Sequence, residues 1–245
     1  MVEESITQRD SLDETDGDKP AGDVEPVGKR ARLRRAARRA YRAEVVFAVG
    51  LLMYSALAVL AHIYAYFSWD LALARSIQSI RLPGFGTLME WISALGSGWL
   101  AVVMVAAAGL SLMAMRLRLE GIICMVGVGA GSLINSLLKI LIARPRPSDD
   151  LVQILVEYRH QSFPSGHVAF FIELFGFLFF LTYVLLKPKP LRRLSFVVLG
   201  ALISMVGVSR VYMGAHWPSD VAGAYLSGGM WLLLMIEIYR RLKSK

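Results

Sequence analysis

Six long apolar runs constrain this chain more than any other feature. They cover residues 45–67, 98–115, 121–142, 168–186, 194–213 and 221–238. Most approach the ~20 residues that cross a hydrocarbon core of about 30 Å, and the shortest, 98–115, sits near the lower limit. Lipid offers no partner to open backbone groups, so each run is expected to be a helix. The short connections leave no room for a second globular domain. The expected fold is all-α: an integral membrane bundle of six transmembrane helices. A hydrophobic content of 56% and a mean hydropathy of +0.51 exclude an ordinary soluble domain.

The net charge of +8 would suit a nucleic-acid binder, but its placement argues for a membrane. Basic residues gather at 29–42, at Arg116 and Arg118, at 187–193 and at 240–245. In a six-span chain these stretches all fall on one side, which collects 20 of the 27 Lys and Arg. By the positive-inside rule that side is cytoplasmic, so both termini are expected there. Residues 1–28 carry nine acidic and two basic residues and read as a disordered tail. The basic stretch 29–42 reads first as the topogenic flank of span one, and second as a helix lying on anionic headgroups. The domain division is then 1–43, an acidic then basic tail, and 44–245, a six-span membrane domain.

Between spans one and two, Leu71, Leu73, Ile77 and Ile80 fall at helical spacing, and residues 88–95 form a second amphipathic piece after Pro83-Gly84. Two short interfacial helices on the outer surface are expected. The triplet Gly127, Gly129 and Gly131 lacks the preceding strand of a nucleotide loop, so close helix packing through Gly127-x-x-x-Gly131 is the better reading. Gly223, Gly228 and Gly229 in the last span are read the same way. The single cysteine, Cys124, rules out an intramolecular disulfide. Nothing resembles a zinc or iron–sulfur ligand set, so no metal and no cofactor is expected.

Three charged islands interrupt this apolar background, in a fixed order. They are Lys139-x6-Arg146-Pro147, Pro164-Ser165-Gly166-His167 and Ser209-Arg210-x5-His216-x3-Asp220. Ionisable residues at the ends of spans are costly and therefore point to function. The topology brings all three to one membrane face, opposite the basic loops. Ser165 stands where a helix N-cap would, and Gly166 permits close approach to free backbone N–H groups, which together make an anion site. His216 and Asp220 are four apart across a helix start, with Pro218 suited to the first turn. The carboxylate can accept one ring N–H and leave the other nitrogen free to act as a nucleophile. Lys139, Arg146 and Arg210 would surround phosphoryl oxygens. Glu173, two turns into span four, is expected to pair with a polar group of a neighbouring helix, the alternative being a lipid headgroup.

The eleven specified residues of these islands, together with the six-span layout over residues 44–241, resemble the type 2 phosphatidic acid phosphatase superfamily. The resemblance implies a metal-independent phosphatase working through a phosphohistidine. It implies His216 as nucleophile, Asp220 as its orienting partner and His167 as the acid that protonates the leaving oxygen. Lys139, Arg146, Ser165, Gly166 and Arg210 are implied to bind the phosphoryl group. Soluble haloperoxidases share the motifs but lack membrane spans. The linker 148–163 is too short to hold an inserted domain, so leaving-group contacts are expected from span ends, the interfacial helices and the stretch around Glu157, Tyr158 and Arg159.

The expected partners are a lipid phosphate substrate and membrane lipids, with no nucleic acid. Phosphatidic acid, phosphatidylglycerol phosphate, a polyprenyl diphosphate and a lipid A phosphate all suit the residues, and phosphotransfer to a second lipid is a variant. A membrane transporter is the alternative of a different class. It would place charges at the midplane, whereas here they sit at span ends, and no inverted repeat is visible.

Overall fold

The computed structural model describes residues 27–244, among which every regular element is a helix: α1 (Val27–Ile63), α2 (Ser68–Gln78), α3 (Phe85–Leu95), α4 (Gly98–Ala114), α5 (Arg118–Ile142), α6 (Gly166–Leu185), α7 (Lys189–Tyr212) and α8 (Pro218–Lys243). The acidic stretch 1–26 lies outside the described residues. The basic stretch 29–42 has a helical backbone within α1, and most of its side chains are likewise not described. Packing contacts separate a unit ending at Glu44 from one beginning at Val45.

Five helices are long and apolar enough to cross a membrane: the Glu44–Ile63 part of α1, and α5, α6, α7 and α8. The sixth crossing is broken. Helix α4 has only 17 residues, which is about 26 Å at 1.5 Å per residue. It meets α3 at 65° across Gly96 and Ser97, and only the bent pair together meets the requirement. The chain is thus a multi-pass membrane protein whose second span is an elbow. The first span is shorter than the apolar run suggests, because α1 stops at Ile63.

Helix α6 is the core. It is apolar on all sides, as a helix surrounded by protein must be, and it packs against α5, α7 and α8. Val168, Phe171 and Phe177 on it are wholly buried. The outer helices turn large apolar side chains outward instead, including Leu52 and Val59 on α1, Leu133, Leu137 and Ile140 on α5 and Val197 on α7. That is the surface a lipid solvent stabilises.

The two short helices form where expected but do not simply lie on a surface. They pack on α7, and α2 also on α8. Leu71 and Ile77 join the core, while Leu73 stays exposed and the polar Asp70 and Gln78 are buried. Hydrogen-bond partners explain the exchange, since a buried polar group is tolerated only when bonded. Gln78 Nε2 donates to the carbonyls of Gln153 (2.7 Å) and Tyr212 (3.0 Å), and its Oε1 accepts from Gln153 N. The 148–163 loop is thereby fastened to α2.

Both ends of Gly127-x-x-x-Gly131 lie at close contacts, but with different helices: Gly127 against Met235 of α8, Gly131 against the Glu173 carboxyl of α6. Gly129 and Gly229 face open space.

Candidate active site

The C-terminal ends of α5 and α7 and the N-terminal ends of α6 and α8 meet at one end of the bundle. With the 143–165 connection, they gather all eight residues singled out from the sequence. Helix α5 supplies Lys139, whose ammonium donates to the carbonyls of Gln161 (2.8 Å) and Ser162 (3.2 Å). Arg146 donates to the carbonyls of His160, Ala215 and Gln161, and its Nη1 lies 3.3 Å from His216 Nε2. Arg210, wholly buried, donates from Nη1 to Ser93 Oγ of α3. Tyr158 sits between the two guanidiniums, 4.9 Å from Arg146 and 4.8 Å from Arg210, and edge-on to His167. Of the linker residues named from the sequence, Tyr158 therefore reaches the site, whereas Glu157 and Arg159 are exposed.

The expected cap at Ser165 takes a different form. Ser165 occupies the N-cap position of α6, yet its hydroxyl makes no capping bond. It is buried and has no hydrogen-bond partner among the described residues, as do Nε and Nη2 of Arg210. Buried polar groups are rarely left so. The first N–H groups of an α-helix have no partner within the helix, and at α6 no side chain supplies one. A hydroxyl, two guanidinium nitrogens and a helix N-terminus, all groups able to donate to an anion, are thus left without partners among the described residues.

The expected direct bond from His216 to Asp220 is replaced by a bridge. Nδ1 and the carboxylate are 3.5 Å apart, and Ser162 Oγ stands between them. The hydroxyl donates to Asp220 Oδ2 at 2.5 Å and lies 3.4 Å from His216 Nδ1. With its one proton given to the carboxylate, Ser162 can only accept from Nδ1–H. That tautomer leaves the Nε2 lone pair facing Arg146. Burial first, then the charges of Lys139, Arg146 and Arg210, hold the His216 ring well below the ordinary imidazole range, against the opposing effect of a ring N–H bond accepted by the Ser162 backbone. The same causes, burial before Arg210, bring Arg146 down to about 10, so it stays charged at neutral pH.

Asp220 does more than the sequence suggested. It accepts the Trp217 N–H at 2.8 Å, closing the first turn of α8, and an Arg144 Nη1 bond at 2.6 Å. Arg144 is buried and also donates to Asp70 Oδ2 (3.0 Å) and Ser219 Oγ (2.6 Å). Sequence reasoning missed Ser162 and Asp70 altogether and gave Arg144 no task. The signal available was a carboxylate at position 70 and an arginine at 144 in otherwise apolar surroundings. Around His216, four cations face two carboxylates, leaving two positive charges over.

His167 is half-buried, and its Nε2 lies 3.0 Å from Ser97 Oγ, in the elbow between α3 and α4. Ser97 gives its own proton to the Ser93 carbonyl at 3.0 Å. It therefore accepts from His167 Nε2–H. A cavity of about 460 Å³ runs from Lys139, Arg146, Gly166 and His167 down between α5 and α6 to Asn135 and Glu173. Ser132, Ser136 and Ile140 on its rim are exposed on the outer side of α5. The expected helix partner of Glu173 is not found: its Oε2 is buried without a hydrogen bond among the described residues.

A family model, that of the PAP2 superfamily, matches residues 120–244. The chain is similar to phosphatidylglycerophosphatase B of Bacillus subtilis (strain 168), with 28% identity over 190 residues that cover 76% of this chain and 90% of that protein. It is also similar to a lipid A 1-phosphatase of Rhizobium etli, 37% identical over 84 residues, or 33% of this chain and 31% of that protein. Among solved structures, a transmembrane PAP2 type phosphatidylglycerolphosphate phosphatase from Bacillus subtilis has a TM-score of 0.70 at 26% identity, covering 80% of this chain and 96% of that one.

Proposed function

Because the chain belongs to the PAP2 superfamily, we propose that it is a membrane phosphatase that hydrolyses the phosphomonoester of a lipid, of the phosphatidylglycerol phosphate type, through a phosphohistidine on His216. The observation that carries this reading is the set of unpartnered donors at Ser165 Oγ and at Nε and Nη2 of Arg210. They border a cluster with two positive charges in excess, the number a phosphate monoester dianion carries. The substrate type rests on similarity to the Bacillus phosphatase over most of both chains. The matches to lipid A phosphatases are confined to a third of this chain for the Rhizobium etli protein and to 47% of it for one of Bacteroides thetaiotaomicron.

Lys139, Arg146, Arg210, Ser165 and the α6 N-terminus at Gly166 hold the phosphoryl oxygens. His216 Nε2 attacks phosphorus while the ester P–O bond breaks, and His167 gives its proton to the departing alkoxide. Asp220, through Ser162, keeps the Nδ1 proton in place and offsets the charge that grows on the ring. Water then attacks the phosphohistidine. His167 takes a proton from it, and inorganic phosphate leaves with the His216 ring restored. The cations that neutralise the transferring group are side chains, so turnover survives EDTA.

The active site faces outward and both termini are cytoplasmic, on the strength of the Lys/Arg asymmetry. The deciding experiment compares leaving groups. His216→Ala abolishes turnover and phosphoenzyme formation with every substrate. His167→Ala slows a lipid monoester by roughly 10²–10⁴-fold, but an aryl phosphate far less, because its leaving group needs no proton. Equal losses on both substrates for both variants would refute these roles.

A further inference from the structure

We propose that Asn135 and Glu173 form a subsite for a hydroxyl group carried by the leaving alcohol, selecting phosphate esters of polyols over those of plain lipid alcohols. The proposal rests on the phosphatase reading above and deepens it. Asn135 lies one turn before Lys139 on α5, and Glu173 lies six residues after His167 on α6. At 1.5 Å per residue these positions are about 6 Å from Lys139 and about 9 Å from His167 along their helices, and the Asn135 amide lies beside Gly166. Both residues line the cavity that begins at Lys139, Arg146 and His167, so whatever leaves the phosphorus passes them.

Each presents a buried acceptor without a partner among the described residues, Asn135 Oδ1 and Glu173 Oε2. The two residues are 7% and 2% exposed, too little for bulk water to compensate. Packing does not account for the carboxyl either. It occupies the face of Gly131, where any Cβ would collide with it, so the neighbouring helix is cut back to make room for it. A buried acceptor calls for a donor, and a hydroxyl, with its one proton given to one of these two acceptors, is the donor an alcohol leaving group can bring. The glycerol of phosphatidylglycerol phosphate carries a free hydroxyl one carbon from its phosphate ester. In phosphatidic acid that depth is filled by acyl esters, which only accept. A site built to bond a hydroxyl discriminates against the analogue lacking it, because its own buried groups are then left unpaired. Ser132, Ser136 and Ile140, at the exposed rim of the same cavity, leave the acyl chains a way out to lipid.

The test measures kcat/KM of the purified full chain on phosphatidylglycerol phosphate and on phosphatidic acid of identical acyl composition in mixed micelles. The wild type prefers the first. In both Glu173→Met and Asn135→Ala, which remove the acceptor, the ratio falls roughly ten-fold or more, the range expected for a buried hydroxyl losing its partner. A ratio that keeps its wild-type value, whatever happens to the absolute rates, overturns the subsite. Should Glu173→Met fail to accumulate as folded protein, Asn135→Ala decides alone. Failure of the phosphatase reading looks different: the wild type then releases no phosphate from either lipid or from an aryl phosphate.

Discussion

Replacing Arg144 by Met leaves two buried carboxylates, Asp70 and Asp220, without the cation they share. Breaking a buried pair from one side costs about 3–5 kcal/mol, so Arg144→Met is expected to unfold at distinctly lower temperature or denaturant in detergent. The catalytic ring makes a separate prediction. In the proposed mechanism the neutral form of His216 is the nucleophile, and burial with three cations keeps the ring deprotonated as pH falls through the ordinary imidazole value of about 6.5. Arg146→Gln removes one of those charges, so the ring pKa rises and the acid limb of kcat/KM moves to higher pH. A limb that stays in place would show that Arg146 does not govern the ring. The motif residues were legible because charges are rare in such a chain and their spacing was informative. Ser162 was not legible. A serine carries no sequence signal of its own, and its place between His216 and Asp220 arises from a loop that folds back 58 positions before Asp220.

At the scale of elements, periodicity and length found the helices, and their ends moved by a few residues where capping and loop contacts intervened. Hydropathy could not show that α6 is the enclosed helix while α1 is peripheral, since α6 and the Glu44–Ile63 part of α1 are about equally apolar. Nor could it show the 65° break, because residues 88–95 and 98–115 look like an interfacial piece followed by an ordinary span. That break places Gly96 against His167, the proposed acid. A Cβ on Gly96 would come 2.6 Å from His167 Cδ2 and 3.2 Å from the Phe171 ring. Gly96→Ala is therefore expected to turn His167 away, lowering turnover of a lipid monoester by an order of magnitude or more while an aryl phosphate is less affected. Thermal unfolding should remain close to wild type, which separates this effect from loss of fold.

Over the whole molecule, the charge asymmetry predicts an orientation that labelling can check. Asp150 is exposed near the site end and Ser244 is exposed at the C-terminus, while the native Cys124 is buried. In intact cells an impermeant thiol reagent should modify Asp150→Cys but not Ser244→Cys, and the reverse pattern would invert the topology. The elbow has a consequence on this scale too. Helix α4 offers about 26 Å of apolar length to a hydrocarbon layer of about 30 Å, so its two ends feel bilayer thickness more than those of its longer neighbours. One of those ends holds Ser97, hydrogen-bonded to His167. Mismatch between a short span and its host costs a fraction of a kcal/mol per Å, and strain at the Ser97 end would bear on the orientation of the proposed proton donor. Reconstituted into phosphatidylcholines of increasing chain length, the protein should lose turnover on lipid monoesters as the bilayer thickens, with less effect on aryl phosphates. The membrane would then serve as a mechanical setting on the acid as well as a solvent for the helices.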